Sequence, residues 1–231
     1  MDYVFTPPPL VSLPVVGDSR RFPVRRVYCV GRNYAEHARE MGALDQADGR
    51  EPPFFFSKPA DALVPEPARV TYPPLTEKLQ HEVELVVALK AGGAVIPPVA
   101  ALDCVFGYAV GLDMTRRDLQ AQAKEKGHPW DMGKGFDLSA PISPVMPVTT
   151  CGHPASGRVS LQVNGELRQD GDMADMTWKV GEIIANLSRY VRLAPGDLIF
   201  TGTPAGVSTV LRGDRLQGTI DGVGEVNFVL V

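Results

Sequence analysis

The sequence predicts a β-rich α+β domain, on three observations. Glycine and proline are dense, 23 and 21 of 231 residues, and spread along the whole chain, so turns are frequent and long helices few. Apolar runs are short and valine-rich, as at 82–89 and 104–112, and Asn164-Gly165 lies between two strand-like stretches as a hairpin turn. There is no βαβ cadence and no internal repeat, which disfavours a doubly wound sheet or an α/β barrel.

The elements follow in order. Residues 1–24 read as an irregular, proline-rich lead-in and residues 25–231 as one domain. A buried strand over 27–30 leads through Gly31-Arg32 into a short helix over 34–41. Asn33 is its predicted N-cap, Glu36 completes a capping box, and Gly42 ends it. Residues 43–53 are polar and turn-rich, so the helix is expected to ride on a mobile excursion. Phe54-Phe55-Phe56 and 82–89 are strand-like. The stretch 91–112 is as long as a bilayer span and carries one charge, Asp103. Gly92-Gly93, Pro97-Pro98 and that aspartate favour a strand, a turn and a second strand in a buried core. A helix over 115–126 should stop at Gly127, and the Asn164-Gly165 hairpin joins 159–163 to 167–169. Val180, Ile184, Leu187 and Val191 fall at helical spacing, marking an amphipathic helix from about Thr177. Pro195-Gly196-Asp197 then turns into a strand over 198–201, and strands alternate to Val231.

Composition narrows the function. A chain of 231 residues with 44% hydrophobic and 22% charged residues folds around a sizeable core and is neither disordered nor a disulfide scaffold. Lys and Arg number 23 against 27 Asp and Glu, a net charge of −4 that repels phosphate backbones; Arg20, Arg21, Arg25 and Arg26 lack the aromatic interleaving of a nucleic-acid patch. Cys29, Cys104 and Cys151 are odd in number and widely spaced, which fits a reducing cytoplasm and buried inert thiols. The N-terminus has no basic region ahead of an apolar stretch, so neither a secretory signal nor a membrane role is expected.

Four constellations could carry chemistry. Glu82 and Glu84 lie at i and i+2 of a strand, hence on one face, and Asp113 ends the next apolar strand. Three carboxylates without Cys or His suit a hard ion, Mg²⁺, Mn²⁺ or Ca²⁺, more than zinc; His81-Glu82 opens like a zinc-protease motif, but Leu85 stands where its second histidine would be. The plain alternative is a solvent-facing acidic stripe. His37 and Glu40 share a helix face at i and i+3, where the carboxylate can orient a general-base imidazole; the alternative is a surface pair. Lys134, between two glycines in a segment with large aromatics, could stabilise an oxyanion or enolate, or be a loop residue. Thr201-Gly202-Thr203-Pro204 ends a strand in a turn that offers N–H groups and hydroxyls to an anion, or merely turns the chain. Serine-nucleophile, dinucleotide and phosphate-loop motifs do not occur.

Together, VGRNYAEHAREMG, FFFSKPADALVP, HEVELVV, GYAVGLDMTRRDLQ, GHPWDMGKGFD, VNGELRQDG and GDLIFTGTPAGV resemble the fumarylacetoacetate hydrolase family, in order from about residue 27 to the C-terminus. The resemblance implies a mixed β-sandwich roll, assembled as a homodimer, with Mg²⁺ or Mn²⁺ held by Glu82, Glu84 and Asp113. It implies a water-activating dyad of His37 and Glu40, an active-site lysine at Lys134, and a pocket lined by Arg32, Lys58, Arg117, Gln120 and Thr203. Larger relatives carry an extra metal-ligating aspartate before the histidine; here Val30 occupies that place. The implied substrate is a 2,4-diketo acid cleaved at a carbon–carbon bond, with fumarylpyruvate, split to fumarate and pyruvate in gentisate-type aromatic catabolism, as the first expectation. Acylpyruvate hydrolysis, oxaloacetate decarboxylation, diene-dioate isomerisation or decarboxylation, and a catalytically silent metal-stabilised binding protein are the alternatives.

Overall fold

The computed structural model describes residues 2–42, 50–65, 67 and 69–231. Along the chain run β1 (Ser12–Val15), β2 (Asp18–Pro23), β3 (Arg26–Gly31), α1 (Ala35–Glu40), β4 (Phe54–Lys58), β5 (Leu63–Pro65), β6 (Arg69–Val70), β7 (Leu79–Gln80) and β8 (Val83–Leu89). There follow α2 (Pro98–Ala101), β9 (Val105–Leu112), β10 (Thr115–Arg116), α3 (Arg117–Lys126), α4 (Asp131–Lys134), β11 (Ala140–Ile142), β12 (Met146–Pro147) and α5 (Val148–Cys151). The chain closes with β13 (Arg158–Val163), β14 (Glu166–Asp172), α6 (Val180–Tyr190), β15 (Asp197–Phe200), β16 (Arg215–Ile220) and β17 (Gly224–Leu230).

One mixed sheet has the order β4-β3-β15-β8-β9-β11-β5 with β12 beside β9, and a second has the order β14-β13-β16-β17-β6. In the first, β15 runs parallel to β3 and β11 parallel to β5, while β8 and β9 pair antiparallel at its centre. Side chains on the two faces of β8 have different tasks. Val83, Leu85, Val87 and Leu89 enter the main core, which Leu161, Leu216, Val226 and Phe228 of the second sheet also enter. Each such burial contributes about 1.5–3 kcal/mol, so the register of β8 is fixed and the alternate residues must face the other way. On that second face Val86 and Ala88 join Cys29, Leu198 and Phe200 in a smaller core. Glu82 and Glu84 belong to the same face, at its end. The curled, β-rich mixed sheet with few helices is the architecture the sequence implies.

Several local expectations are corrected. The lead-in is not irregular: β1 and β2 form a hairpin whose Leu13, Val15 and Phe22 pack into the smaller core. Its strands are too short, and its prolines too many, for the alternation to stand out. Asn33 does not cap α1; Tyr34 holds that position without a side-chain bond, and no capping box forms. Instead the Asn33 amide donates to Thr201 O at 2.7 Å and Trp178 O at 3.0 Å and accepts from Trp178 N at 2.7 Å, tying the entry of α1 to the end of β15. The segment 91–112 holds one strand, β9, preceded by α2, because Pro98 suits a first helical turn. The helix predicted over 115–126 begins at Arg117, Thr115 and Arg116 pairing with β7. Residues 43–49 of the polar excursion lie outside the described residues. The four arginines are individually engaged, Arg20 with Asp18, Arg21 with Ser12, Arg25 with Asp197 and Arg26 with Tyr28. Among the described residues no helix is long and apolar enough to cross a membrane.

Candidate active site

Strand register builds the acidic centre. Val83 pairs with Leu112 and Glu84 with Gly111, so Glu82 lies opposite Asp113, whose N–H donates to Glu82 O at 2.8 Å. Residues i and i+2 of one strand and the partner opposite share a face, and the three carboxylates come within 4.8 Å of one another, all buried. Gly111 is required here: a Cβ would lie 2.6 Å from Phe200 and 2.7 Å from Val86.

Cations surround this centre. Lys134 Nζ donates to Glu82 Oε2 at 2.7 Å and Asp113 Oδ2 at 2.6 Å, and Lys58 Nζ lies 2.9 Å from Asp113 Oδ1. Arg117 pairs with Glu82 and reaches Gln80 and Gln120, each at 2.6 Å. Burial opposes the charge of Glu82, but Lys134 and Arg117 outweigh it and hold its carboxyl well below the usual range. Burial likewise opposes the Lys134 charge, and Asp113 and Glu82 prevail, raising its pKa. Glu84 differs. Its Oε2 accepts the Gly202 N–H at 2.7 Å, and among the described residues it has no cationic partner at ion-pair distance. Burial, with Asp113 and Glu82 beside it, pushes its pKa well above the usual value. Gly202 can make this contact because its φ is +95°, and a Cβ there would meet Asn33 at 2.7 Å.

This donor set fits a divalent ion. Three hard oxygen ligands converge, and burial with the neighbouring Asp113 and Glu82 charges raises the pKa of Glu84, so a cation there would favour its ionised form. With all three carboxylates ionised, Lys58, Lys134 and Arg117 balance them, so a divalent cation leaves the floor with an excess positive charge that an anionic ligand can meet.

Above the floor opens a cleft lined by His37, Arg32, Gln120, Lys124, Thr203 and an aromatic wall of Phe54, Phe56 and Trp130, among others. His37 is buried, and its Nδ1 lies 3.3 Å from Glu40 Oε2, which among the described residues leaves Nε2 without a bonded partner. Glu40 is itself held by the Gly206 N–H at 3.2 Å. Burial pushes the His37 imidazole below the ordinary histidine range, against the opposing influence of Glu82 and Glu40. It is therefore neutral and basic at pH 7. Val30 contributes an apolar patch to the cleft.

The structure thus gathers Arg32, His37, Glu82, Glu84, Arg117, Gln120, Lys134 and Thr203 around one cleft. It places Lys58 elsewhere: behind Asp113, fully buried and bonded to Ser139 Oγ at 3.0 Å and to the Lys134 carbonyl, it supports the floor and does not line the cleft. The Thr203 hydroxyl also has prior partners, donating to Val83 O and accepting from Gln169, each at 2.8 Å.

Gln169, Lys124 and the aromatic wall were not expected from sequence. Gln169, wholly buried, accepts from Val83 N and pairs with His81 Nδ1 through Oε1, while Nε2 serves Thr203 and Pro204. It clamps the start of β8 to the turn that carries Gly202. Gln169→Leu should cost roughly 2–4 kcal/mol in urea unfolding, since several buried polar groups lose their partner at once, and should weaken metal binding with it. Unchanged stability and metal affinity would show that the clamp is dispensable.

Fold and site together define a class: a curled mixed sheet that holds a carboxylate centre suited to a divalent ion under a histidine–glutamate dyad. The chain belongs to the fumarylacetoacetate hydrolase family, matching "Fumarylacetoacetate (FAA) hydrolase C-terminal" over residues 26–231, and it is an enzyme of the hydrolase class. It is similar to the crystal structure of fumarylpyruvate hydrolase from Pseudomonas aeruginosa in complex with Mn²⁺ and pyruvate, at 52% identity and a TM-score of 0.96, covering 100% of this chain and 99% of that one. A fumarylpyruvate hydrolase from Ralstonia sp is 42% identical over 180 residues, 78% of this chain and 93% of the relative. "Oxaloacetate tautomerase FAHD1, mitochondrial" from Rattus norvegicus is 43% identical over 204 residues, 88% of this chain and 90% of the relative.

Proposed function

We propose that the protein is a metal-dependent hydrolase of 2,4-diketo acids, with fumarylpyruvate as substrate and fumarate and pyruvate as products. The observation that carries this reading is the pairing of a neutral, carboxylate-oriented histidine with a buried three-carboxylate floor in one cleft. Glu82, Glu84 and Asp113 would hold Mg²⁺ or Mn²⁺, which when bound supplies Lewis acidity and a template for a 2-oxo carboxylate. His37, with Nδ1–H donating to Glu40, takes a proton at Nε2 from the water that attacks the distal carbonyl carbon. Once the carbon–oxygen bond has formed, the carbon–carbon bond on the pyruvate side breaks, and its electron pair passes into the enolate of pyruvate. Lys134, held as an ammonium at the floor, stabilises the negative charge that develops there. The proton on His37 returns to the departing carbon, so the step balances with water as the only co-substrate. The same reading includes a single catalytic unit over 25–231, a homodimer and a cytoplasmic setting, supported by the resemblance.

Oxaloacetate is the second substrate to weigh, because relatives of similar identity bear an oxaloacetate tautomerase name. The test is to incubate the Mg²⁺- or Mn²⁺-loaded protein with fumarylpyruvate and follow loss of its enol ultraviolet absorbance, with EDTA-treated, acetylpyruvate and oxaloacetate samples in parallel. Rapid, EDTA-sensitive loss that favours fumarylpyruvate is expected. Activity confined to oxaloacetate would replace the hydrolase reading, and activity confined to acetylpyruvate would change its substrate.

A further inference from the structure

The cleft has a second charged region that the reaction as described leaves unused. Arg32 and Lys124 both line it, and both are exposed at its mouth, whereas the carboxylate floor is buried. The other cations of the site are committed, Arg117 to Glu82 and Lys134 to Glu82 and Asp113. Among the described residues neither Arg32 nor Lys124 has a carboxylate at ion-pair distance; each has an aromatic ring instead. The Arg32 guanidinium lies 5.9 Å from the centroid of Phe54 and Lys124 Nζ 5.0 Å from that of Trp130. These two rings meet edge to face at 5.4 Å, so one continuous aromatic wall carries a cation at each end.

The backbone is arranged for this. Arg32 has φ of +56°, a left-handed conformation that a long side chain rarely adopts, at the bend between β3 and α1. Lys124 comes from the last turns of α3, the helix that also supplies Arg117 and Gln120 to the cleft. Partial burial, with Arg117, Arg32 and Lys134 nearby, pushes the Lys124 ammonium below its ordinary range against the opposing influence of Glu82.

We propose that Arg32 and Lys124 form a subsite for a second, remote carboxylate of the substrate, so that the cleft selects 2-oxo acids that are dicarboxylates. This inference rests on the proposed reading that the 2-oxo carboxylate end is held at the carboxylate floor. The remote carboxylate then lies at the mouth, where the Arg32 guanidinium and the Lys124 ammonium, each set against one ring of the aromatic pair, converge on it. A substrate ending in a methyl group would leave both cations unmet.

The experiment uses binding, so that it does not depend on turnover. The Mn²⁺-loaded protein is titrated calorimetrically with 2-oxopimelate, which has the carbon count of fumarylpyruvate and a carboxylate at each end, and with 2-oxoheptanoate, its methyl-ended counterpart. The wild type should prefer the dicarboxylate by about 10- to 100-fold, the range of charge-assisted hydrogen bonds. Lys124→Met and Arg32→Met should each bring that ratio down towards unity, and Lys124→Arg should largely preserve it. No preference in the wild type, or a preference that survives both methionine variants, overturns the subsite. Wild-type turnover of fumarylpyruvate is measured alongside. Absence of turnover with an intact preference refutes the hydrolase reading and leaves the subsite standing, whereas turnover without a preference does the reverse.

Discussion

His37→Ala should lower kcat on fumarylpyruvate by about 10²- to 10⁴-fold, the range for removal of a positioned general base, while leaving Mn²⁺ affinity and thermal stability close to wild type. The separation of the two effects follows from the geometry. His37 lines the cleft from α1, and its bonded partner is Glu40 on the same helix, not a carboxylate of the floor. Glu40→Gln should have a smaller effect, because the amide can still accept from Nδ1–H and preserve the tautomer while losing the charge that supports an imidazolium. Parallel loss of turnover and metal affinity in His37→Ala would make the histidine structural. The pH profile provides a second check. Burial lowers the His37 pKa, so the base is unprotonated through neutrality and the acid limb of kcat/KM should fall below pH 6.5. A cation on the floor offsets the charge of Glu82 and moves the limb further in the same direction.

The legible parts of this protein were those written in local pattern. The metal-ready acids were readable because a strand's period of two places Glu82 and Glu84 on one face, and Asp113 ends the neighbouring apolar run. The dyad was readable because i and i+3 share a helix face. The Asn164-Gly165 turn adopts positive φ at both positions, +53° and +84°, as the dipeptide predicts. What escaped depended on irregular or distant geometry. In β14 the pairing skips a residue between Leu167 and Gln169, and this irregularity reverses the alternation, exposing Leu167 and burying Gln169. No spacing rule marks a bulge. Asn33 and Glu36 have the spelling of a capping box, yet the Asn33 amide is taken by Thr201 and Trp178, whose approach depends on the return of β15 beside β3. The resemblance implies a pocket position for Lys58, whereas the structure sets it behind Asp113.

The metal site itself yields the sharpest contrast, because Glu82 and Glu84 share a face but respond oppositely to neutralisation. Glu84 in the metal-free fold has a pKa raised above its unfolded value by burial and by the neighbouring Asp113 and Glu82 charges. Its contribution to stability is therefore complete below the ordinary carboxylate value of 4.5 and fades as pH rises towards the folded value. Glu84→Gln removes that loss. The metal-free variant should resist urea better than metal-free wild type at pH 7–8, and the difference should vanish near pH 4. Added Mn²⁺ reverses the ranking: wild type gains stability with metal concentration, and the variant, short of one ligand, gains little. Its metal affinity should fall by more than the roughly 10- to 100-fold that even an outer partner's loss costs. Glu82→Gln has the opposite sign without metal, since it takes a charge from Lys134 and Arg117 and should destabilise by about 3–5 kcal/mol, as removal of one partner from a buried pair does. Urea unfolding of both variants with and without Mn²⁺ decides the matter. If Glu84→Gln is destabilised in the absence of metal at pH 7–8, its carboxylate is not held protonated by burial and like charge, and the floor is not poised for a divalent ion in the way its geometry indicates.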